Sequence, residues 1–304
     1  MNDEYSAADL NEMDVTEPEF FIDGLLPEGL SFIAGPPKFG KTYLNLMLAV
    51  SVAAGEPFLG REVKSKRKVL YLYLEGDAAQ VKRRLRDIYG EGKQLPRELI
   101  FVHSIPPMSA GGFAALSRLV QRHDPGLVII DTWQLVRDEA PMRGTAYQRE
   151  YNELTALRSE LCGKLGVSVL LTHHTKQLVP GKHMDDLYML NGSSALSGCA
   201  DAVLMLSGTR GGKRYRLSAH GRGMEDAEIV LERTDPMGWK TAPMEGTELQ
   251  ERLLEILSHN RNGVTVTDIK TMLPEAKLNT VWQQLNRWAT AGKLVKEGRT
   301  YRFP

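Results

Sequence analysis

The sequence has little of what marks secreted, membrane-spanning or DNA-coating proteins. Its 304 residues include only two cysteines, Cys162 and Cys199, which is too few for a disulfide framework and typical of small core residues in a reducing compartment. The longest apolar stretch, around residues 44–54, is interrupted by polar side chains and is shorter than the roughly 20 residues that a bilayer requires. The first residues, Met1 to Glu4, lack the basic and apolar regions of a secretory leader. We therefore expect a soluble, cytoplasmic protein without membrane contact.

Net charge is also missing. The chain has 38 Lys and Arg and 38 Asp and Glu, which excludes a globally basic, histone-like binder but not a local basic patch. The charges are unevenly distributed, because every charged residue before Lys38 is acidic. We interpret residues 1–19 as an acidic tail. Such a tail is either a solvated segment or an electrostatic contact with a basic neighbour.

Residues 20–243 alternate strand-like and helix-like patterns. The strand-like runs are short, continuous and rich in Val, Ile and Leu, as in strands buried on both faces of a parallel sheet. These runs are 30–34, 69–74, 99–102, 127–130 and 167–172, and the helical periods between them are 43–54, 78–89, 114–123 and 147–165. Runs 202–206, 214–219 and 228–233 lack intervening helices and predict further, partly antiparallel strands. The pattern predicts an α/β domain with a doubly wound, mostly parallel sheet.

A second module, residues 244–304, follows a predicted linker at 237–246 that is rich in Pro, Gly and Thr. Its pattern predicts an amphipathic helix over 248–258, a short helix capped by Thr267, a third helix capped by Asn279, and a hairpin that turns at Gly298. Three helices followed by a hairpin resemble a winged helix-turn-helix domain.

A phosphate-binding loop follows the first long strand. The run Gly35-Pro36-Pro37-Lys38-Phe39-Gly40-Lys41-Thr42 fits the pattern G-x-x-x-x-G-K-[ST], and Tyr43 begins the predicted helix. Glycines let the backbone wrap around phosphate oxygens, and the helix N-terminus favours an anion. In this pattern Lys41 reaches the β- and γ-phosphates and the Thr42 hydroxyl binds Mg²⁺. The motif predicts ATP and Mg²⁺ as ligands.

Carboxylates follow two other strands. Asp131 follows the run 127–130 and is the candidate for the Mg²⁺ shell, with capping of the next turn as the alternative. Glu75 follows the run 69–74 and is the candidate base for the attacking water. Asp77 is the fallback for that role, and its alternative role is to cap the next helix.

Two adjacent histidines, His173 and His174, follow the strand that contains residues 167–172. One of them could contact the γ-phosphate and report its loss. A satisfied structural histidine is the competing interpretation. Zinc binding is disfavoured because no third ligand lies at metal-site spacing.

These motifs, in their order and spacing, resemble the RecA-like P-loop ATPases, and within them the hexameric replicative helicases of the RepA-type plasmid group. The resemblance spans residues 20–233 and includes Pro57-Phe58-Leu59-Gly60-Arg61 and Gly192-Ser193-Ser194-Ala195-Leu196. It implies a homo-oligomeric, hexameric ring in which Glu75 is the catalytic base, Asp131 lies in the Mg²⁺ shell and His173 or His174 is the sensor. It also implies that Arg222 completes the site of the neighbouring subunit, with Arg210 and Arg214 as alternatives. The chain has His220 where some relatives carry a Lys.

Cations on two predicted loops are candidates for contact with single-stranded DNA. Arg137 and Arg143 lie on the loop after Asp131, and Lys176 and Lys182 lie on the loop after His174. Both loops also contain acidic residues. In the C-terminal module, Arg287 lies on the polar side of the third predicted helix, and this module could dock on DNA or on a protein.

Together with this resemblance, the motifs predict an ATP-hydrolysing DNA helicase or translocase that acts in replication of a plasmid or another mobile element. A replication initiator or a primase is a candidate partner. The alternative is an ATP-dependent DNA-binding regulator or loader without processive unwinding. A small-molecule kinase is disfavoured, because the chain lacks an Arg-rich segment of the kind that forms a lid.

Overall fold

The computed structural model describes residues 6–13, 19–137, 146–175, 198–243 and 246–303. Eight α-helices and fourteen strands lie in these ranges. The helices are α1 (Ala7–Glu12), α2 (Lys41–Ala54), α3 (Ala78–Tyr89), α4 (Gly112–His123), α5 (Ala146–Leu157), α6 (Gly246–His259), α7 (Val266–Met272) and α8 (Leu278–Thr290).

The strands comprise a small N-terminal hairpin, a large sheet and a small C-terminal sheet. They are β1 (Phe20–Ile22), β2 (Leu26–Pro27), β3 (Leu30–Gly35), β4 (Val69–Tyr73), β5 (Leu99–Val102), β6 (Leu127–Asp131), β7 (Ser168–His174), β8 (Ala202–Gly208), β9 (Arg214–Gly221), β10 (Ala227–Thr234), β11 (Gly238–Thr241), β12 (Val264–Thr265), β13 (Val295–Glu297) and β14 (Thr300–Arg302).

Nine strands form the large sheet in the order β11-β10-β9-β8-β3-β7-β6-β4-β5. The strands from β8 to β5 in that order are mutually parallel, and β9, β10 and β11 extend the sheet in antiparallel pairs. The predicted α/β fold with a mostly parallel sheet is confirmed. Its antiparallel extension explains why the late strand patterns lacked helices between them, since antiparallel neighbours need only short connections.

Helices cover both faces of the parallel part. Alternate strand residues such as Ile33 and Tyr71 pack with α2 and α3 in one core, whereas Phe32 and Leu70 pack with α4 and α5 in the other. Successive side chains of a strand point to opposite faces, so a sheet covered on both faces buries every residue of its inner strands. The continuous apolar runs in the sequence are the consequence.

Residues 246–303 contain three helices and a three-stranded sheet in the order β12-β14-β13. They share a core of their own, which includes Leu253, Leu285 and Trp288 and reaches Val230 of β10. The module therefore packs against the antiparallel end of the large sheet.

Several local predictions need correction. The predicted linker contains β11, which pairs with β10 at the edge of the sheet. The short helix is capped by Thr265 rather than Thr267, because Thr265 and Asp268 form a reciprocal capping box. The third helix begins after Lys277, without a side-chain cap, rather than after Asn279. The helix predicted through residue 165 changes to π-helical geometry at Arg158–Lys164.

Candidate functional site

The phosphate-loop residues lie at the carboxyl end of β3. Gly35 has φ +156°, and a Cβ there would lie 2.5 Å from the Leu206 carbonyl oxygen, so only glycine fits. Gly40 has φ +92° and precedes α2, whose N-terminus has no side-chain cap. The first N–H groups of α2 are therefore free of a side-chain acceptor, which suits the binding of a phosphate.

The tip of the loop rests on the antiparallel strands. Phe39 is buried and meets the Tyr215 ring edge-on at 5.6 Å, whereas Pro37 and Lys38 are exposed. The Trp239 Nε1–H donates to the Gly40 carbonyl at 3.2 Å, and a Cβ on Gly40 would lie 2.8 Å from the Trp239 ring. Strand β11, which the sequence pattern predicted to be part of a linker, thus supports the phosphate loop.

Lys41 is buried and bonded within its own loop. Its Nζ donates to the carbonyls of Gly35 at 2.8 Å and Pro36 at 3.0 Å, and lies 3.0 Å from His174 Nδ1. Burial lowers the pKa of Lys41 to about 8, although the carboxylates of Asp131 and Glu75 oppose the change. An anion at this place would compensate the buried charge.

His174 joins Lys41 to Glu75. His174 of β7 is paired with Gly35 of the parallel strand β3, and this pairing brings the His174 ring to the phosphate loop. Its Nε2 lies 3.8 Å from Glu75 Oε1. The approach of the His174 ring is the main reason that the pKa of Glu75 falls below its ordinary value, so Glu75 is ionised at neutral pH and able to accept a proton.

Asp131 is fully buried at the end of β6. Tyr71 OH donates to its Oδ2 at 2.8 Å, and the hydroxyls of Thr42 and Thr172 also bond to its carboxylate. Burial raises the pKa of Asp131 in spite of these bonds, and the nearby Glu75 adds to the rise. A cation beside Thr42 would favour the ionised carboxylate.

The other residues predicted for the site, Tyr43, Asp77 and His173, do not all lie at the phosphate loop. Tyr43 lies beside the loop, where its OH donates to Asp87 Oδ2 at 3.3 Å. Asp77 caps α3 by accepting from the Gln80 N–H at 2.8 Å, so the capping alternative holds for it. His173 points to the opposite face of β7, where its Nε2 lies 3.5 Å from Glu150 Oε1. The structure therefore brings His174, and not His173, to the phosphate loop.

Arg222 does not reach the phosphate loop of its own chain. Gly221, which precedes Arg222, is paired with Ala202, and Ala202 is paired with Ser31 of β3. Ser31 lies four residues before Gly35, so Gly221 lies roughly 13 Å from the level of the phosphate loop along the strand direction, at about 3.3 Å per residue. The Arg222 side chain is exposed and donates to the Gly198 carbonyl at 2.7 Å. Its neighbour His220 pairs with Asp226 at 2.9 Å. Arg222 thus has the exposure that a contact in trans would need.

The candidates for DNA contact are only partly visible. Arg143, Lys176 and Lys182 lie outside the described residues, as does the segment 192–196 and most of the acidic tail. Arg137 is described, and its Nη1 lies 3.5 Å from the buried Glu150. Arg287 is exposed on α8.

Sequence reasoning missed three supporting residues, namely Tyr71, Asn45 and Trp239. Asn45, which is buried on α2, donates to Thr172 at 2.7 Å. A signal existed for the first two, because a hydroxyl or amide in an otherwise apolar element requires a polar partner. For Trp239 no local signal existed, since its contact with Gly40 spans most of the domain.

Comparison with known proteins places these features in a family. Residues 3–178, more than half of the chain, match the family described as "AAA domain". The chain is similar to the solved structure of the ATPase domain of G40P, with 15% identity, a TM-score of 0.54, and coverage of 69% of this chain and 82% of that chain. This likeness supports a RecA-like fold. Comparison with the curated protein sequences finds no significant match. No helix of the described residues is long and apolar enough to span a membrane.

Proposed function

We propose that this chain, which belongs to the AAA domain family and is a P-loop ATPase, works as a ring-forming helicase or translocase on single-stranded DNA. The observation that carries the proposal is the convergence of Lys41, Thr42, Glu75, Asp131 and His174. Lys41 and Thr42 begin α2, the helix that follows β3, and the other three side chains lie at the carboxyl ends of β4, β6 and β7, so that all five meet at one edge of the sheet. Open α/β sheets bind ligands at this edge.

The residues at this edge of the sheet fit a nucleoside triphosphate with Mg²⁺. The uncapped N-terminus of α2 and the Lys41 ammonium would bind phosphate oxygens, and the Thr42 hydroxyl and Asp131 would hold the metal. When bound, Mg²⁺ neutralises the charge that develops on the β- and γ-phosphates. Glu75 is the residue that orients and deprotonates the attacking water.

We assign the sensor role to His174. Its bonding distance to Lys41 and its approach to Glu75 make it sensitive to whatever occupies the phosphate loop. It lies one residue before Thr175, after which the chain continues to the predicted DNA-contacting Lys176 and Lys182. ATP hydrolysis would therefore act on this second loop through His174.

A ring explains the position of Arg222. An arginine from the next subunit that stabilises the γ-phosphate in the transition state is worth about 10³–10⁵ in rate elsewhere. Arg222 is exposed and distant from its own phosphate loop, which is consistent with action in trans. Arg210 and Arg214 remain alternatives, although Arg214 pairs with Glu232. We propose a hexamer of the RepA-type plasmid group that serves replication of a mobile element, with an initiator or primase as partner.

The first experiment measures phosphate release from ATP with and without oligo-dT. We expect turnover that oligo-dT stimulates, and loss of turnover in Lys41→Ala. A wild-type chain that releases phosphate no faster than Lys41→Ala, at any protein concentration, would refute the ATPase proposal.

The second experiment concerns the ring. Size-exclusion chromatography with light scattering, with an ATP analogue and oligo-dT, should show an oligomer. Arg222→Ala should retain the oligomer and nucleotide binding but lose turnover. A strict monomer under all conditions would exclude an arginine acting in trans, and unchanged turnover would mean that another arginine has this role.

The C-terminal module supports a second candidate function, that of an ATP-dependent DNA-binding regulator or loader. Trp282 of α8 is half exposed beside Lys296 and Arg299 of the hairpin, in a groove of about 340 Å³. An aromatic ring between cations is suited to stacked bases and phosphates. A forked DNA duplex separates the candidates, because a motor displaces the strand when ATP is added and a regulator only retains the duplex.

A further inference from the structure

The carboxyl end of β7 contacts two different charged clusters. Thr172 and His174 face α2 and the phosphate loop, whereas His173 faces α5. Because adjacent side chains of a strand point to opposite faces, these contacts follow from the pleat. The phosphate loop and the cluster on the other face of β7 therefore contact the same backbone segment.

The second cluster, which we call the root cluster, consists of Arg137, Glu150 and His173. One oxygen of Glu150, Oε1, lies 3.5 Å from both Arg137 Nη1 and His173 Nε2. Glu150 has a side chain only 7% exposed, and those of Arg137 and His173 are 25% and 17% exposed. An ion pair so shielded from water is screened little by salt.

The root cluster joins the starts of both predicted DNA loops. Arg137 is connected to Asp131 by a short packed turn, in which its N–H donates to the Trp133 carbonyl at 3.1 Å and Trp133 is fully buried. Arg137 directly precedes residues 138–145, and His173 lies three residues before Lys176. Glu150 lies in α5, after the first of these loops, and contacts both starts.

We propose that Glu150 is a positioning residue that couples the nucleotide site to the DNA-contacting loops. A shift of the β7 end that begins at His174 moves His173 with it, and the shared carboxylate transmits the movement to Arg137. Both loops then respond to one event at the phosphate loop. The inference rests on the proposed function, because it requires ATP-dependent contact with DNA.

The test measures coupling directly, as the ratio of oligo-dT affinities with and without a non-hydrolysable ATP analogue. Fluorescence anisotropy of labelled oligo-dT gives both affinities. We expect a ratio of about fivefold or more in the wild type, the usual scale of coupling between sites. In Glu150→Gln, which removes the charge but keeps the shape, the ratio should fall towards one while ATP affinity without DNA is kept.

Glu160→Gln is the matched control, because Glu160 is a half-exposed carboxylate on the adjoining π-helix that pairs only with Lys164 among the contacts described for it. It should retain the wild-type ratio. His173→Gln tests the same cluster from the other side and serves if Glu150→Gln does not fold. It should also bring the ratio towards one.

The outcomes separate the two proposals. If the wild type shows a ratio well above one and both root-cluster variants keep it, the coupling role of Glu150 is wrong and the proposed function stands. A variant that weakens DNA affinity equally in both nucleotide states also contradicts the inference, because that result indicates a structural role alone. If the wild type does not bind oligo-dT at all, the proposed function and this inference both fail.

Discussion

Two clusters at the end of β7 contain the same kinds of group in a different order. At the phosphate loop, His174 lies between the Lys41 ammonium and the Glu75 carboxylate. In the root cluster, Glu150 lies between two nitrogen groups. The first cluster is half open, with the His174 and Glu75 side chains 37% and 44% exposed, whereas the carboxylate at the centre of the second cluster is nearly closed to solvent.

This difference in solvent exposure suits the two clusters to different roles. Groups that exchange protons with water and ligands need access, and an ionised carboxylate that water can reach is suited to general base chemistry. A carboxylate that is shielded from water, as Glu150 is, is suited to holding charged partners in place. The two adjacent histidines lie on opposite faces of the strand, and we therefore propose different roles for them.

The largest expected effect comes from removing the accessible carboxylate. Glu75→Gln keeps the size of the side chain but cannot accept a proton, so turnover should fall by about 10²–10⁴ while ATP still binds. Asp77→Asn is the control, because Asn caps a helix as well as Asp does and α3 should remain intact. Steady-state phosphate release and nucleotide binding, measured on both variants, check this. Equal losses in the two variants would argue against Glu75 as the base.

A smaller effect separates the two histidines. His174→Asn removes a bond to Lys41 and a partner of Glu75, and a lost bond to a charged group costs about 1.5–3 kcal/mol, which corresponds to about 10-fold to 150-fold in rate. His173→Asn should reduce basal turnover less, because its ring faces Glu150. The measurement is turnover without DNA. A larger loss in His173→Asn would reverse our assignment of the sensor.

The pH dependence of ATP binding tests the buried ammonium. Lys41, with a pKa of about 8, is charged below pH 8 and loses its proton as the pH rises through that value. An anionic ligand binds the protonated form, so the affinity for ATP should fall by up to about tenfold between pH 7 and pH 9. Lys41→Met should bind ATP weakly, with no such decline. A flat wild-type profile in fluorescence titrations would mean that the ammonium keeps its proton throughout.

The smallest effect concerns support rather than chemistry. Tyr71→Phe leaves one oxygen of the buried Asp131 without its hydroxyl donor, and the free energy of unfolding should fall by about 1–3 kcal/mol with only a few-fold loss of turnover. Tyr73→Phe, on the same strand, should cost less, because Tyr73 OH bonds to Arg84 nearer the surface. Denaturant unfolding of the two variants gives the comparison. A loss in Tyr73→Phe that equals or exceeds that in Tyr71→Phe would contradict it.

The parallel part of the fold could be predicted from local sequence. Strands buried on both faces have continuous apolar runs, and Asp131 and Glu75 stand at their ends, so the edge at which they meet followed from topology. Strand β11 could not be predicted, because its four residues, Gly238–Thr241, owe their pairing to β10. The predicted start of a helix differed from the observed start by a few residues where two residues could serve as the cap, as with Thr265 and Thr267.

The site could be predicted in its parts but not in its connections. The phosphate-loop motif identified Lys41 and Thr42, whereas the choice between His173 and His174 required the register of β7 against β3. Glu150 was missed because its partners lie on other elements, and no sequence spacing relates them. The segments with Arg143 and Lys182 lie outside the described residues, so their DNA contacts remain predictions.

The contact between Trp239 and Gly40 has a consequence for how the chain is made. Every residue of the phosphate loop leaves the ribosome long before β11, yet the indole that closes over Gly40 belongs to that strand. A nascent chain shorter than this would contain the whole ATP-binding motif without the surface against which it rests. We therefore expect the chain to bind nucleotide only after β11 has been synthesised and has joined the large sheet.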